Sequence, residues 1–244
     1  MSNRSIHTLL KNWDEECPLT REEAVEVLNL PEKEMDSLME CAYALRTKYK
    51  GKKVSVQLLT NVRSGNCTQN CAYCAQSKDS QAEIEKYKRV SDEKLYGDND
   101  LVDEKHLARH CIGLSGIGFS DEEIEDLADR IREMKKKDTQ ICCSIGFLTE
   151  KQARILKDAG LDRINHNLNS SRSFYPEICT THTYDQRVNN IKMLQSLGFE
   201  ICSGGIVGMG ESKDDIVDML MDLREINPES VPINFLLPIP GTRL

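Results

Sequence analysis

Lys53-Val54-Ser55-Val56-Gln57-Leu58-Leu59, followed shortly by Cys67-Thr68-Gln69-Asn70-Cys71-Ala72-Tyr73-Cys74, is the stretch from which the rest of the chain is read. The first segment reads as a β-strand, rich in β-favouring residues. Three thiols at C-x3-C-x2-C follow its C-terminal end, and parallel barrels carry their active sites on the loops that follow strands. A structural zinc site is closed by four ligands, commonly two C-x2-C pairs or a Cys/His set, and Cys67, Cys71 and Cys74 offer neither. A cubane iron-sulfur cluster also takes four ligands, so three thiolates would hold three irons and leave the fourth open to a small molecule. The competing readings are a chance grouping of thiols or an incomplete zinc knuckle, and the spacing favours the cluster.

Outward from that loop the chain alternates strand and helix signals. Cys111-Ile112-Gly113-Leu114, Ile141 to Ile145, Arg163 to Leu168, Ile201 to Ile206 and Val231 to Leu236 read as further strands. Between them, Ser120 with Glu123, Thr149 with Gln152 and Thr183 with Gln186 form capping boxes that open helices, and Ser212 opens another. Repeated strand-helix units predict a parallel α/β barrel of the TIM type with about six strands, against the eight of a closed barrel. Upstream, Thr20 with Glu23 caps one helix. Met35, Leu38, Met39, Ala42 and Leu45 mark a second at about 32–49. The expected organisation is a helical cap over 1–50, packed on the closed end of the barrel, and a barrel core over 51–244. Gln76 to Lys105 is the least legible segment, expected to be loop with one helix.

The totals exclude several classes. A formal charge of -8 disfavours a nucleic-acid backbone as partner. No apolar run approaches the roughly 20 residues that cross a bilayer, and the first residues lead into no signal-type apolar core. A cytoplasmic protein is expected, in which ten cysteines serve as metal ligands or buried thiols rather than disulfides. Cys17 and Cys41 read as buried or incidental thiols, and His166 and His182 as core histidines.

Cys111, Cys142 and Cys202 fall in or beside three separate strands. They are either small core hydrophobes or, if they face inward, a second group of convergent thiols. Gly204-Gly205-Ile206-Val207-Gly208-Met209-Gly210-Glu211 reads as a strand-to-loop bend or a close backbone approach to a ligand.

C-x3-C-x2-C with Tyr73 before the last thiol resembles the radical S-adenosylmethionine (SAM) superfamily, in which the open iron chelates SAM. The contexts Arg109-His110-Cys111-Ile112-Gly113, Cys142-Cys143-Ser144-Ile145-Gly146, Asn165 to Asn169 and Cys202-Ser203-Gly204-Gly205-Ile206 are similar to the biotin synthases, as is Ser230 to Asn234. The similarity runs from about Leu19 in one order. It implies a 4Fe-4S cluster on Cys67, Cys71 and Cys74, and an auxiliary iron-sulfur cluster, 2Fe-2S or a variant, on Cys111, Cys142 and Cys202. Cys143 would face away into the core. It further implies SAM beside Tyr73, Gly204, Gly205, Ile206, Gly208 and Glu211, and contacts from Asn167 and Asn234 to the ureido ring of dethiobiotin. An amide suits a urea because it offers both donor and acceptor. A flavodoxin or ferredoxin electron donor and a homodimer belong to the same implication.

The chain departs from that family pattern in places. The arginine that completes the family's auxiliary cluster lies on a late strand with no counterpart here, so a C-terminally truncated chain is expected. Asn70 and Asn169 stand at positions often acidic, and Cys179 is an additional thiol. The readings left open are sulfur insertion into dethiobiotin, a related radical SAM reaction (lipoyl-synthase-like or methylating), and an inactive iron-sulfur binding fragment.

Overall fold

The computed structural model describes residues 18–244, so Cys17 lies outside the described residues. Thr20 caps helix α1 (Arg21–Leu28) through a reciprocal box with Glu23. A 3-10 turn (Glu32–Glu34) then leads into α2 (Met35–Lys50). The barrel follows as β1 (Gln57–Arg63), α3 (Asp92–Glu104), β2 (Arg109–Leu114), α4 (Asp121–Met134), β3 (Ile141–Ser144), α5 (Glu150–Asp158) and β4 (Arg163–Asn165). It continues with the single turn α6 (Tyr175–Ile178), α7 (Tyr184–Ser196), β5 (Glu200–Cys202), β6 (Gly205–Val207), α8 (Lys213–Ile226) and β7 (Ile233–Phe235).

Strands β1 to β5 form one parallel sheet in chain order, and β6 pairs in parallel with β7. The two sheets are one surface. Ser203 N donates to Ser230 O at 2.9 Å and Gly205 N to Pro232 O at 3.1 Å, while Asn169 N donates to Gly204 O at 2.9 Å. β5 and β6 are therefore one strand, interrupted at Ser203-Gly204, and the wall has six strands as expected from the sequence. A Cβ on Gly204 would overlap the carbonyl oxygen of Pro232, and one on Gly205 would strike the Met219 side chain. Glycine is what allows the last strand to close up there.

The helices cover the outer face. α4 buries Ile124, Leu127, Ala128, Ile131 and Met134, of which the four larger side chains each contribute about 1.5–3 kcal/mol relative to exposure. They belong to one buried core with the outward-facing Ile112, Cys143, Ile164 and Ile201. The segment 76–105 resolves into a loop and α3, which is capped by Ser91 and buries Leu95, Asn99 and Val102.

Two expectations shift. The first strand begins at Gln57 rather than Lys53, because Val54 and Val56 lie exposed before the pairing with β2 starts. It runs on through the polar Thr60, Asn61 and Arg63, which the apolar pattern did not mark. α2 buries none of its residues, and Met39 is 65% exposed. Of the expected cap, α1 is the helix that packs on the barrel, against α8, with Arg21 bridging Asp214 and Asp218. No helix of the described residues is long and apolar enough to cross a membrane.

Candidate functional site

The C-terminal ends of the strands surround a cavity of about 270 Å³. Its wall comes from the loops after β1, β2, β3 and β4, together with Ile206 and Asn234 on β6 and β7. Cys67, Cys71 and Cys74 all line it, with Cys71 buried and the other two half-buried. The loop that carries them is fixed along its backbone. Ala72 N donates to Ile178 O at 2.8 Å, Cys74 N to Cys71 O at 3.1 Å and Lys78 N to Gln69 O at 2.8 Å. Arg243 donates to the carbonyl oxygens of Asn70 and Ile178.

The donor chemistry of this wall fits an iron-sulfur cluster. No Asp or Glu lines the cavity, so a hard cation finds no carboxylate, whereas three thiols converge from one loop. The interaction with Cys179, together with burial, pushes the Cys71 thiol up, and burial does the same to Cys74. In the metal-free chain these groups therefore hold their protons and would release them on binding iron. Tyr73, also in the wall, is pushed up by burial.

Arg187 enters the same cavity from α7. Its Nε donates to Tyr175 Oη at 2.5 Å, NH1 to Asn167 O at 3.1 Å and NH2 to His182 Nε2 at 2.8 Å. A guanidinium has five N–H donors, which leaves two free. No carboxylate pairs with it among the described residues.

Deeper in the barrel, Cys111 and Cys142 are register partners on β2 and β3. Asn165 on β4 is level with Ser144 and with Cys202. Because side chains alternate along a strand, Cys111, Cys142 and Cys202 share the inner face, whereas Cys143 lies in the outer core. Cys111 Sγ donates to Gln57 Oε1 at 2.9 Å, and Asn165 Nδ2 donates to Cys202 Sγ at 3.2 Å. Contact with the Cys142 thiol, aided by the guanidinium groups of Arg109 and Arg163, draws Cys111 down to about 7. Cys142 is pushed up by the same contact and by burial. Both arginines pair with Glu200.

The other residues named from the sequence divide between wall and frame. Asn167, Asn234, Ile206 and Tyr73 line the cavity; Gly204, Gly205, Gly208 and Glu211 do not. Asn167 Oδ1 accepts from Gly204 N at 3.1 Å. Glu211 accepts from Gly208 N at 2.6 Å and Met209 N at 2.7 Å, so its carboxylate shapes the turn after β6. Asn70 Oδ1 accepts from the backbone N–H groups of Thr180 and Thr181, and Asn169 turns the chain at φ 71°.

Sequence reasoning missed Arg187 and the connection of Cys179 and His182 to the cysteine loop. One signal was present: Arg187 is spaced i, i+4, i+7 with Ile191 and Leu194, the buried face of α7. His182 and His166 are buried, as expected, and both also stand in the cavity wall.

The family model of the Radical SAM superfamily matches residues 61–223, more than half of the chain. An open parallel α/β barrel with thiols on its first loop is the architecture of that class. A biotin synthase of Geobacillus kaustophilus is 41% identical over 227 residues, covering 93% of this chain and 68% of that protein. One of Rhodopirellula baltica is 41% identical over 228 residues (93% and 64%), and one of Bacillus subtilis strain 168 is 40% identical over 227 residues (93% and 68%). The chain belongs to the biotin synthase family of the radical SAM superfamily, and spans about two thirds of the length of these curated relatives. Among solved structures, methylornithine synthase superposes with a TM-score of 0.86 at 17% identity, over 98% of this chain and 70% of that one. The FeFe-hydrogenase maturase of Carboxydothermus hydrogenoformans gives 0.82 at 18%, over 98% and 58%. These two likenesses concern the fold alone.

Proposed function

We propose that this chain carries the machinery for sulfur insertion into dethiobiotin, with Cys67, Cys71 and Cys74 holding a 4Fe-4S cluster at the barrel mouth and Cys111, Cys142 and Cys202 holding an auxiliary iron-sulfur cluster below it. The observation that carries the reading is the placement of two thiol groups at two depths of one barrel face, the first opening on the cavity and the second beneath it. Family membership supports it. Bound in these places, the two clusters would supply the electron that cleaves SAM and the sulfide that the substrate acquires.

The protein's own residues have four tasks. The two free N–H donors of Arg187 suit the SAM carboxylate, since a planar fork matches a carboxylate. Tyr73 and Ile206 supply the apolar wall beside it. Asn167 and Asn234, on opposite sides of the β6 strand, offer amides to a ureido ring. Gly204, Gly205, Gly208 and Glu211 act on SAM indirectly by shaping β6 and its turn. A flavodoxin or ferredoxin would deliver electrons, and a homodimer is part of the same proposal.

The test is anaerobic reconstitution followed by iron and sulfide counts on the parent chain, Cys67→Ala and Cys111→Ala, then SAM cleavage and biotin formation from dethiobiotin. Two clusters in the parent, one in each variant, and biotin from the parent alone are expected. SAM cleavage with an octanoylated peptide as the modified product would favour the lipoyl-synthase-like alternative. A single cluster in the parent would remove the sulfur-donor role.

A further inference from the structure

Cys179 lies outside both thiol groups, yet its Sγ is 3.9 Å from Cys71 Sγ. Both are buried. Cys71, Cys179 and His182 place their ligand atoms within 4.8 Å of one another, which raises the question of a separate metal site. The hydrogen bonds around His182 argue against one. Arg187 NH2 can only donate, so His182 Nε2, 2.8 Å away, must accept. The imidazole proton then sits on Nδ1, where it faces Gln69 Oε1 at 2.9 Å and Cys179 Sγ at 3.3 Å. A metal at Nδ1 would need that proton removed and would leave an Nε2 proton pointing at the guanidinium.

The polarity of the first link is thereby fixed: Arg187 donates to His182. The Nδ1 proton of His182 is shared between Gln69 Oε1, the nearer acceptor, and Cys179 Sγ. With no cluster bound, Cys71 Sγ donates to Cys179 Sγ, and the Cys179 thiol proton has Asn70 Oδ1 and Thr181 Oγ1 in reach, each at 3.5 Å. As a cluster ligand Cys71 has no proton, and its Sγ, 3.9 Å away, becomes a third acceptor. Asn70 Oδ1 already accepts from Thr180 N at 3.0 Å, Thr181 N at 3.3 Å and the Thr181 hydroxyl at 3.1 Å. A cluster-bound Cys71 thiolate is anionic and is the strongest acceptor of the three.

We propose that Cys179 is a positioning residue for the cluster of the cysteine loop, donating an S–H hydrogen bond to Cys71 at the end of a relay Arg187–His182–Cys179 and thereby raising the reduction potential of that cluster. The proposal rests on the reading that Cys67, Cys71 and Cys74 hold the 4Fe-4S cluster. A donor to a ligand sulfur stabilises the more negative, reduced state, and burial strengthens the effect. It also connects the cofactor pocket to the cluster, because the guanidinium at the head of the relay is the group assigned to the SAM carboxylate.

The test compares the parent, Cys179→Val and Cys179→Ser, reconstituted anaerobically, with iron counted and the cluster signal absent from Cys67→Ala followed by EPR through a redox titration without SAM. Valine keeps the shape and removes the donor; serine keeps a donor. A lower midpoint in the Val variant, with the Ser variant at or above the parent, is expected. Equal midpoints at equal iron content would overturn the relay and mean that the proton goes to Asn70 or Thr181. A Val variant that fails to load while the Ser variant loads would also overturn it, making Cys179 an assembly residue. A parent whose iron is unaffected by Cys67→Ala would overturn the cluster assignment itself.

Discussion

Replacing Gly204 by Ala tests how the last strand is held to the rest of the wall. A Cβ there meets the Pro232 carbonyl oxygen and lies 2.7 Å from its carbon. Neither atom can swing away, since both are backbone. The strand carrying Pro232 has to retreat, which takes with it the bonds from Ser203 N to Ser230 O and from Gly205 N to Pro232 O. Overpacking costs about 1–3 kcal/mol and each of the two sheet hydrogen bonds about 1 kcal/mol, so a loss of about 3–5 kcal/mol is expected. In urea this lowers the midpoint by about 1 M or more. Hydrogen exchange at Gly205 and Leu236, whose amides bond across this seam, should quicken more than exchange at Ile112. Gly97→Ala is the control: it lies inside α3 with nothing within 4 Å of the new methyl, and is expected to stabilise by about 0.5–1 kcal/mol. An unchanged midpoint for Gly204→Ala would refute the idea that glycine is required for closure of β7.

Other outcomes follow from the site. Arg187→Lys keeps the charge but loses the fork, so SAM binding by equilibrium dialysis should weaken about tenfold or more while iron content stays at the parent level. Burial holds the His166 ring down at about 3 and the His110 ring at about 4, against about 6.5 in an unfolded chain. Above pH 6.5 both states carry these rings neutral and stability is full. As pH falls from 6.5 toward 4 the unfolded chain binds protons that the folded one refuses, so stability declines by up to about 1.4 kcal/mol per pH unit for each ring. Urea midpoints at pH 7.5, 6 and 5 check this, with a shallower decline in His166→Phe. Thr183→Ala removes the cap whose hydroxyl accepts from Gln186 N at 3.1 Å and should cost about 1 kcal/mol, read as a lower thermal midpoint.

Much of the fold was legible because its signals are local. Ser120, Thr149, Thr183 and Ser212 each cap the helix assigned to them, since the capping pattern needs only four consecutive residues. Strand ends were harder. Asn61 and Asn165 are polar because they face the interior of the barrel, and Thr60, on the opposite face, because it bonds Asp98 of α3 and His110; all three break the apolar run that marks a strand. The Arg187, His182 and Cys179 relay was invisible for a different reason. It joins α7 and the loop after α6 to the cysteine loop, more than 100 residues upstream, and no periodicity records such a meeting.

The two thiol groups are held by unlike means. Cys67, Cys71 and Cys74 are kept near one another by eight consecutive residues of covalent chain, a separation that persists when the surrounding sheet frays. Cys111, Cys142 and Cys202 are neighbours only while β2, β3 and β5 stay in register with β4. Mild denaturant that peels the short β5 strand away is expected to disperse the second trio first, so that metal held there would leave before metal held by the cysteine loop.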